Sequence, residues 1–199
     1  MKAVLLLLGF VLAVGPLYAA ETHTTEVGPY LLTFTIDWIS PHRATVRADV
    51  TIPASKERVW AVLTAYEQLA EFIPNLTYSH VVQRQNEYLL LHQKGNIWLP
   101  LYRRKAEVVL RVEESSAKDR VSFRALRDLR DFEGVHQDFV VYEGGWSVQK
   151  VAQGTLIFYQ ATVEPNFWIP NWALAELERQ TLKMTFRALI RRCLPPNPE

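Results

Sequence analysis

Five histidines, at 23, 42, 80, 92 and 136, are the side chains best suited to carry a proton near neutral pH. Their spacing forms no metal-ligand pattern. The chain has no G-x-S-x-G elbow, no G-x-G-x-x-G loop, no Walker A loop and no H-E-x-x-H helix. His92 stands close to Lys94 in a strand-like segment, where it faces either a cavity or a hydrogen-bonded surface. Tyr142, Glu143 and Tyr159 complete the set of side chains to inspect as an acid or base. None of these makes a catalytic constellation, so no catalytic residue, metal ligand or cofactor is expected.

The chemistry available is mainly apolar. Aromatic residues make up 12% of the chain and six are Trp, enough for a large core or an aromatic-lined cavity. Lys plus Arg is 22 and Asp plus Glu is 21, a balance that excludes an electrostatic nucleic-acid binder. Phe167, Trp168 and Trp172 crowd into "EPNFWIPNW", between and just beyond two prolines. They are read as a staple at a helix start, a lid over a cavity, or a foot on a membrane.

Those side chains need elements to hold them. "ATVRADVTI" (44–52) alternates apolar Val46, Ala48, Val50 and Ile52 with polar residues, the pattern of a strand with one buried face. Ser55 is placed to cap a short helix with Val59, Trp60, Val62 and Leu63 on its apolar face, and a second short helix ends at Pro74. Strands follow at 77–83, 88–98, 104–112, 120–126, 139–151 and 154–164, and the charged stretch "LRDLRDFEGVHQD" is a longer connection. The segment 30–39 is β-prone, either an edge strand or an extension of the first strand. From Trp172 to Cys193 apolar residues recur at helical spacing, with Glu176 and Glu178 early and Arg187, Arg191 and Arg192 late, as the helix dipole favours.

This order is α+β. A curved antiparallel sheet of about six or seven strands wraps a long C-terminal helix, with two short helices after the first strand. Its segments are a leader at 1–20, an N-terminal extension with a possible extra strand at 21–43, a main domain at 44–193 and a tail at 194–199. In the leader, Lys2 precedes the apolar run "AVLLLLGFVLAV", and Gly15-Pro16 and the small residues Ala19 and Ala20 follow. That reads as a secretory signal peptide, with an N-terminal membrane anchor as the alternative. Export, most simply to a periplasm, is expected. The single cysteine, Cys193, permits no intrachain disulfide.

The element order, with "ADVTIPASKERVWAVLTAYEQLAEFIPNL" (48–76), "YEGGWSV" (142–148) and "VEPNFWIPNW" (163–172), resembles the START-like superfamily, also called SRPBCC or the helix-grip fold. The branch it resembles holds polyketide cyclase/dehydrase and coenzyme Q-binding proteins. Pro53, Val59-Trp60, Tyr66 and Pro74 fall in that family's order; Ala65 stands where many relatives have an acid, and the Arg/Asp connection is longer here. The resemblance implies a cavity between sheet and long helix that holds a sterol, lipid, quinone or polyketide.

Three functions follow. The first is an exported binding or transport protein for a hydrophobic small molecule of the lipid or polyprenyl quinone class. The second is a polyketide cyclase/dehydrase-like enzyme acting on an apolar or aromatic substrate in the same cavity. The third is a ligand-free interaction module. The cavity candidates are Trp98, Phe123, Tyr142, Trp146, Phe158, Tyr159, Leu177, Thr181 and Met184, with Phe167, Trp168 and Trp172 at the mouth, and each also serves as plain core. The alternation along 156–163 does not say which side faces inward. Arg179, Lys183, Arg187 and Arg191 form a helical stripe, either solvated or leaning on lipid head groups in a transient membrane contact. Nothing in the residues sets the oligomeric state.

Overall fold

The computed structural model describes residues 20–99, 102–169 and 171–194. The apolar run of the expected leader, the C-terminal prolines and Pro170 lie outside them.

Two antiparallel meanders share one sheet. β1 (Glu21–Val27), β2 (Tyr30–Ser40) and β3 (Arg43–Ile52) form the first. β4 (Leu76–Arg84), β5 (Leu89–Leu99), β6 (Tyr102–Ser115), β7 (Arg120–Ala125), β8 (Phe139–Val151) and β9 (Gly154–Pro165) form the second. The strand order β1-β2-β3-β9-β8-β7-β6-β5-β4 joins them at β3 and β9. The sheet therefore has nine strands, not six or seven. Both added strands lie in the N-terminal extension. β1 is polar and Thr-rich, so it shows no apolar alternation, yet β-branched threonines suit an edge position. It pairs with β2 from Glu21↔Ile36 to Val27↔Tyr30.

Between the meanders, α1 (Lys56–Leu63) starts where expected, with Ser55 Oγ accepting the N–H of Arg58 at 3.2 Å. Such a cap is worth about 1 kcal/mol. A 3₁₀ turn (Tyr66–Gln68) leads into α2 (Leu69–Phe72), which stops before Pro74. The last element is α3 (Asn171–Cys193). It touches β1, β2 and β3 from one side of the strand order and β5 from the other. One helix can meet both only if the sheet curls around it.

The buried face of α3 carries Leu182, Phe186, Leu189 and Ile190. Phe186 is fully buried, which stabilises the fold by roughly 1.5–3 kcal/mol. At the C-terminal end of α3, Arg58 donates to the Arg192 carbonyl at 2.7 Å, and the Arg192 guanidinium lies 5.6 Å from the Phe72 ring centre. Cys193 is free and buried there, and burial pushes its thiol up to about 11.

Strand β8 carries Gly144 and Gly145 between two tightly apposed neighbours. A methyl group on Gly144 would overlap the carbonyl oxygen of Gln160 in β9, and one on Gly145 that of Val121 in β7. Both obstacles are backbone, which cannot yield without shifting the ladder. The Gly144→Ala variant is expected to lose about 1–3 kcal/mol, read as a lowered urea midpoint with an unchanged denaturant slope.

Candidate functional site

Side-chain parity builds a cavity of about 310 Å³ between the sheet and α3. On the concave face, Val108 and Leu110 of β6, Phe123 of β7, Tyr142 and Trp146 of β8 and Tyr159 of β9 form its floor. From α3, Thr181, Leu182, Thr185, Phe186 and Leu189 form its roof. The floor is a chain of rings. Phe123 and Tyr142 lie 5.1 Å apart, Trp146 and Tyr159 4.4 Å, and Trp146 reaches Phe186 at 5.6 Å. Stacked and tilted rings fix one another and leave an apolar surface toward the interior.

One end of the cavity is framed by three chain segments. Pro74 and Asn75 stand on one side, with Asn75 in the left-handed region at φ 67°. Its carbonyl accepts the N–H of Asn96 at 2.7 Å, so the α2–β4 turn is tied to β5. Gly95 and Ile97 of β5 stand next, and Pro165 at the end of β9 and Phe167 in the β9–α3 connector close the frame. Among the described residues, no Asp, Glu, His or Cys lines the cavity.

Tyr66 is the most deeply buried tyrosine of the lining. Burial pushes its phenol above the ordinary range, and Glu114 adds to the shift. Glu114 is near enough to act on the hydroxyl but does not meet it in hydrogen-bonding geometry.

Outside the cavity, a polar network holds its mouth. Glu107 Oε1 lies 2.7 Å from His92 Nε2 and 3.0 Å from Lys94 Nζ. The Glu107 N–H donates to Asp138 Oδ2 at 2.9 Å, and Arg104 donates to Asp138 Oδ1 at 2.6 Å. Asn166 hangs on the same segment: its N–H donates to the Asp138 carbonyl at 3.0 Å and its side chain to the Gln137 carbonyl. The Arg104 guanidinium then covers the Phe167 ring at 4.2 Å. The charged connection is therefore a strut under the connector, not only a solvated surface. His92 is part of this strut and is hydrogen-bonded rather than turned to the cavity.

The protein-family comparison matches residues 52–190 to the family described as polyketide cyclase / dehydrase and lipid transport. The chain belongs to that family. Its START-like fold recurs in the STAR-related lipid transfer protein of Xanthomonas axonopodis (TM-score 0.68, 18% identity, covering 84% of this chain and 96% of that one). The Zhui aromatase/cyclase of Streptomyces sp. R1128 matches with TM-score 0.61 and 14% identity over 76% and 94% of the two chains. Human StAR-related lipid transfer protein 5 matches with TM-score 0.67 and 10% identity over 86% of each. At such identities these structures show the fold alone. No curated protein sequence matches the chain.

Within that fold, Phe123, Tyr142, Trp146, Tyr159, Leu177 and Thr181 sit together in the lining, as does Phe167 at the mouth. Three other cavity candidates do not. Trp98 lies on the convex face because its neighbour Ile97 takes the inward position, and it is 51% exposed. Phe158 is outward for the same reason, since Ile157 and Tyr159 face in, and Met184 lies on the flank of α3. Trp168 is 73% exposed and points away from the lining, and the side chain of Trp172 lies outside the described residues. The inward Leu91, Val108 and Leu110 were missed, although plain alternation along β5 and β6 marks them.

Glu107 makes the strut sensitive to acid. Burial raises its pKa, but hydrogen bonds from Lys94, His92 and the His136 N–H outweigh this and hold it below the ordinary 4.5. A depressed carboxylate contributes stability that is present above the unfolded pKa and lost as pH falls through the folded one. The melting temperature should therefore fall below about pH 4.5, and Glu107→Gln should show a smaller fall across that window than the wild type. Parallel melting curves from pH 6 to pH 3 check this.

Proposed function

We propose that the protein is an exported carrier that holds one hydrophobic small molecule of the lipid or quinone class between its sheet and α3. The observation that carries this reading is the apolar, partly open cavity of about 310 Å³ under α3, with Phe167 in its lining. Ligand pockets span about 300–1,000 Å³, so this one is large enough for a guest and small for that range. Its size favours a compact ring or a single chain; a long polyprenyl tail would have to leave through the mouth. Burial of apolar ligand surface, at roughly 25 cal/mol per Å², supplies the affinity. The volume gives no support to a ligand-free module with a filled core. Export rests on the leader read from residues 1–20 and goes with delivery of an apolar cargo inside a cell envelope, most simply a periplasm.

Mass spectrometry of organic extracts from the purified protein should find an apolar compound at near-equal stoichiometry. Returned at a hundred times its dissociation constant, that compound should stabilise the fold by about 2.7 kcal/mol. Ala106 faces the cavity, so Ala106→Phe should fill it and weaken binding at least tenfold while the protein still folds. Empty extracts and no stabilisation by any apolar compound would overturn the reading. Sequencing the same preparation from its N-terminus should start at Glu21.

A second reading, an enzyme of the cyclase/dehydrase kind, is favoured by the tyrosines Tyr142 and Tyr159 in the lining. Proton transfer needs a group within hydrogen-bond reach of the substrate, and a phenol can supply it. Incubated with the protein, the extracted compound should be recovered unchanged if the protein is a carrier. Conversion that disappears in the Tyr142→Phe, Tyr159→Phe double variant, with binding kept, selects the enzyme.

A further inference from the structure

The cavity mouth is ringed by side chains that a soluble surface does not need. Trp168 is 73% exposed, Ile39 54% and Trp98 51%. All three lie at one end of the sheet, where β2 and β5 end, β3 and β6 begin, and β9 passes into α3. They line one rim of the sheet. Trp98 pairs across the β5–β6 hairpin with Arg103, whose guanidinium lies 4.7 Å from its ring centre. The adjacent Arg104 covers Phe167, the residue before Trp168. Ile169 beyond is buried against Trp38, the neighbour of Ile39.

The acids at this rim are matched by cations: Glu164 by Arg43, Asp37 by Arg47, Glu107 by Lys94 and Asp138 by Arg104; the charges left over on the β5–β6 hairpin are basic. Between Glu87 and Glu107 the sequence has no acidic residue, but it has Lys94, Arg103, Arg104 and Lys105. Lys94 and Arg104 are engaged by Glu107 and Asp138. Among the described residues, Arg103 and Lys105 have no carboxylate partner, and both are exposed. Nearby, the connection after β7 carries Arg127, Asp128, Arg130, Asp131 and Glu133, and Asp128 is taken up by Arg130 at 2.6 Å. Asp131 and Glu133 would be repelled by an anionic surface. They turn the 127–133 side away from it and the hairpin side toward it.

Tryptophan beside arginine and lysine suits the boundary between water and anionic lipid. The indoles sit at head-group depth, and each cation gains roughly 1 kcal/mol near an anionic bilayer. Among the described residues no helix is long and apolar enough to cross a membrane. We infer that the Trp98–Arg103 hairpin and Trp168 dock the cavity mouth peripherally on an anionic lipid bilayer. Docked this way, Phe167 and the open end of the cavity face the lipid, and a guest passes between bilayer and cavity without crossing water. The inference rests on the carrier reading for its purpose but not for its geometry.

Flotation with phosphatidylcholine vesicles, with and without phosphatidylglycerol, tests the surface. The wild type should bind the anionic vesicles and release as salt rises. Arg103→Gln with Lys105→Gln should weaken that binding roughly thirtyfold, at about 1 kcal/mol per charge. Trp98→Ala with Trp168→Ala should lose most of it. Brominated lipid should quench wild-type tryptophan fluorescence; the leader contains no Trp, so the signal reports the folded body. Wild type and variants share the same N-terminus, so it cannot produce a difference among them. Equal binding to both vesicle types, or no quenching by brominated lipid, would overturn the inference even if a variant fails to fold. Stabilisation by an apolar compound without vesicles tests the cavity separately, so either reading can fail while the other stands.

Discussion

Nine residue pairs between β3 and β9, from Ala44↔Val163 to Ile52↔Thr155, join two meanders that would otherwise be separate sheets. The rest of the structure depends on that ladder. Its partners lie more than a hundred residues apart, so it forms only after a large loop has closed, at an entropic cost that local hairpins avoid. Side chains reinforce it. Thr45 and Thr162 hydroxyls meet at 2.9 Å, and the buried Thr155 hydroxyl donates to the Ala54 carbonyl at 2.7 Å. Without the ladder, α3 would keep one wall and lose the other.

The cavity follows from that enclosure together with the sizes of a few residues. Close packing normally fills an interior to the density of an organic crystal. Here the concave face includes Ala106, where a larger residue would fill the gap. The surrounding rings are large but brace one another, and the helix cannot sink further because Phe186 already rests on Trp146. The space is held open by its walls. The strut from Glu107 and Asp138 to Arg104 and Asn166 holds the rim in the same manner, with charge in place of ring contacts.

Much of the architecture was legible in the residues. Alternation marked the strands from β3 onward, Ser55 marked the start of α1, and helical spacing marked α3. β1 was hidden because its threonines carry no apolar signal. The cavity was legible by half. Large aromatics were weighted by size, but a strand sends successive side chains to opposite faces, so Trp98 and Phe158 went outward for want of one register position. No local pattern fixes that parity in β9; its neighbours do, through Val46 and Ala48 of β3. The strut was illegible because Asp138 lies in the long connection, 31 residues from the Glu107 amide it accepts. One trace was present: Arg104 breaks the apolar series of Ala106, Val108, Leu110 and Val112 at the end of the same face.

The lone thiol sealed at the end of α3 has a chemical consequence. A group titrating at about 11 is almost wholly protonated at neutral pH, and the protonated thiol is a poor nucleophile. Packed under Arg58 and the last turn of the helix, Cys193 is neither oxidised readily nor exchanged with disulfides while the fold holds. The molecule is thus blind to redox poise. It holds the same shape in a glutathione-rich interior and in an oxidising envelope, and its cohesion comes wholly from noncovalent packing.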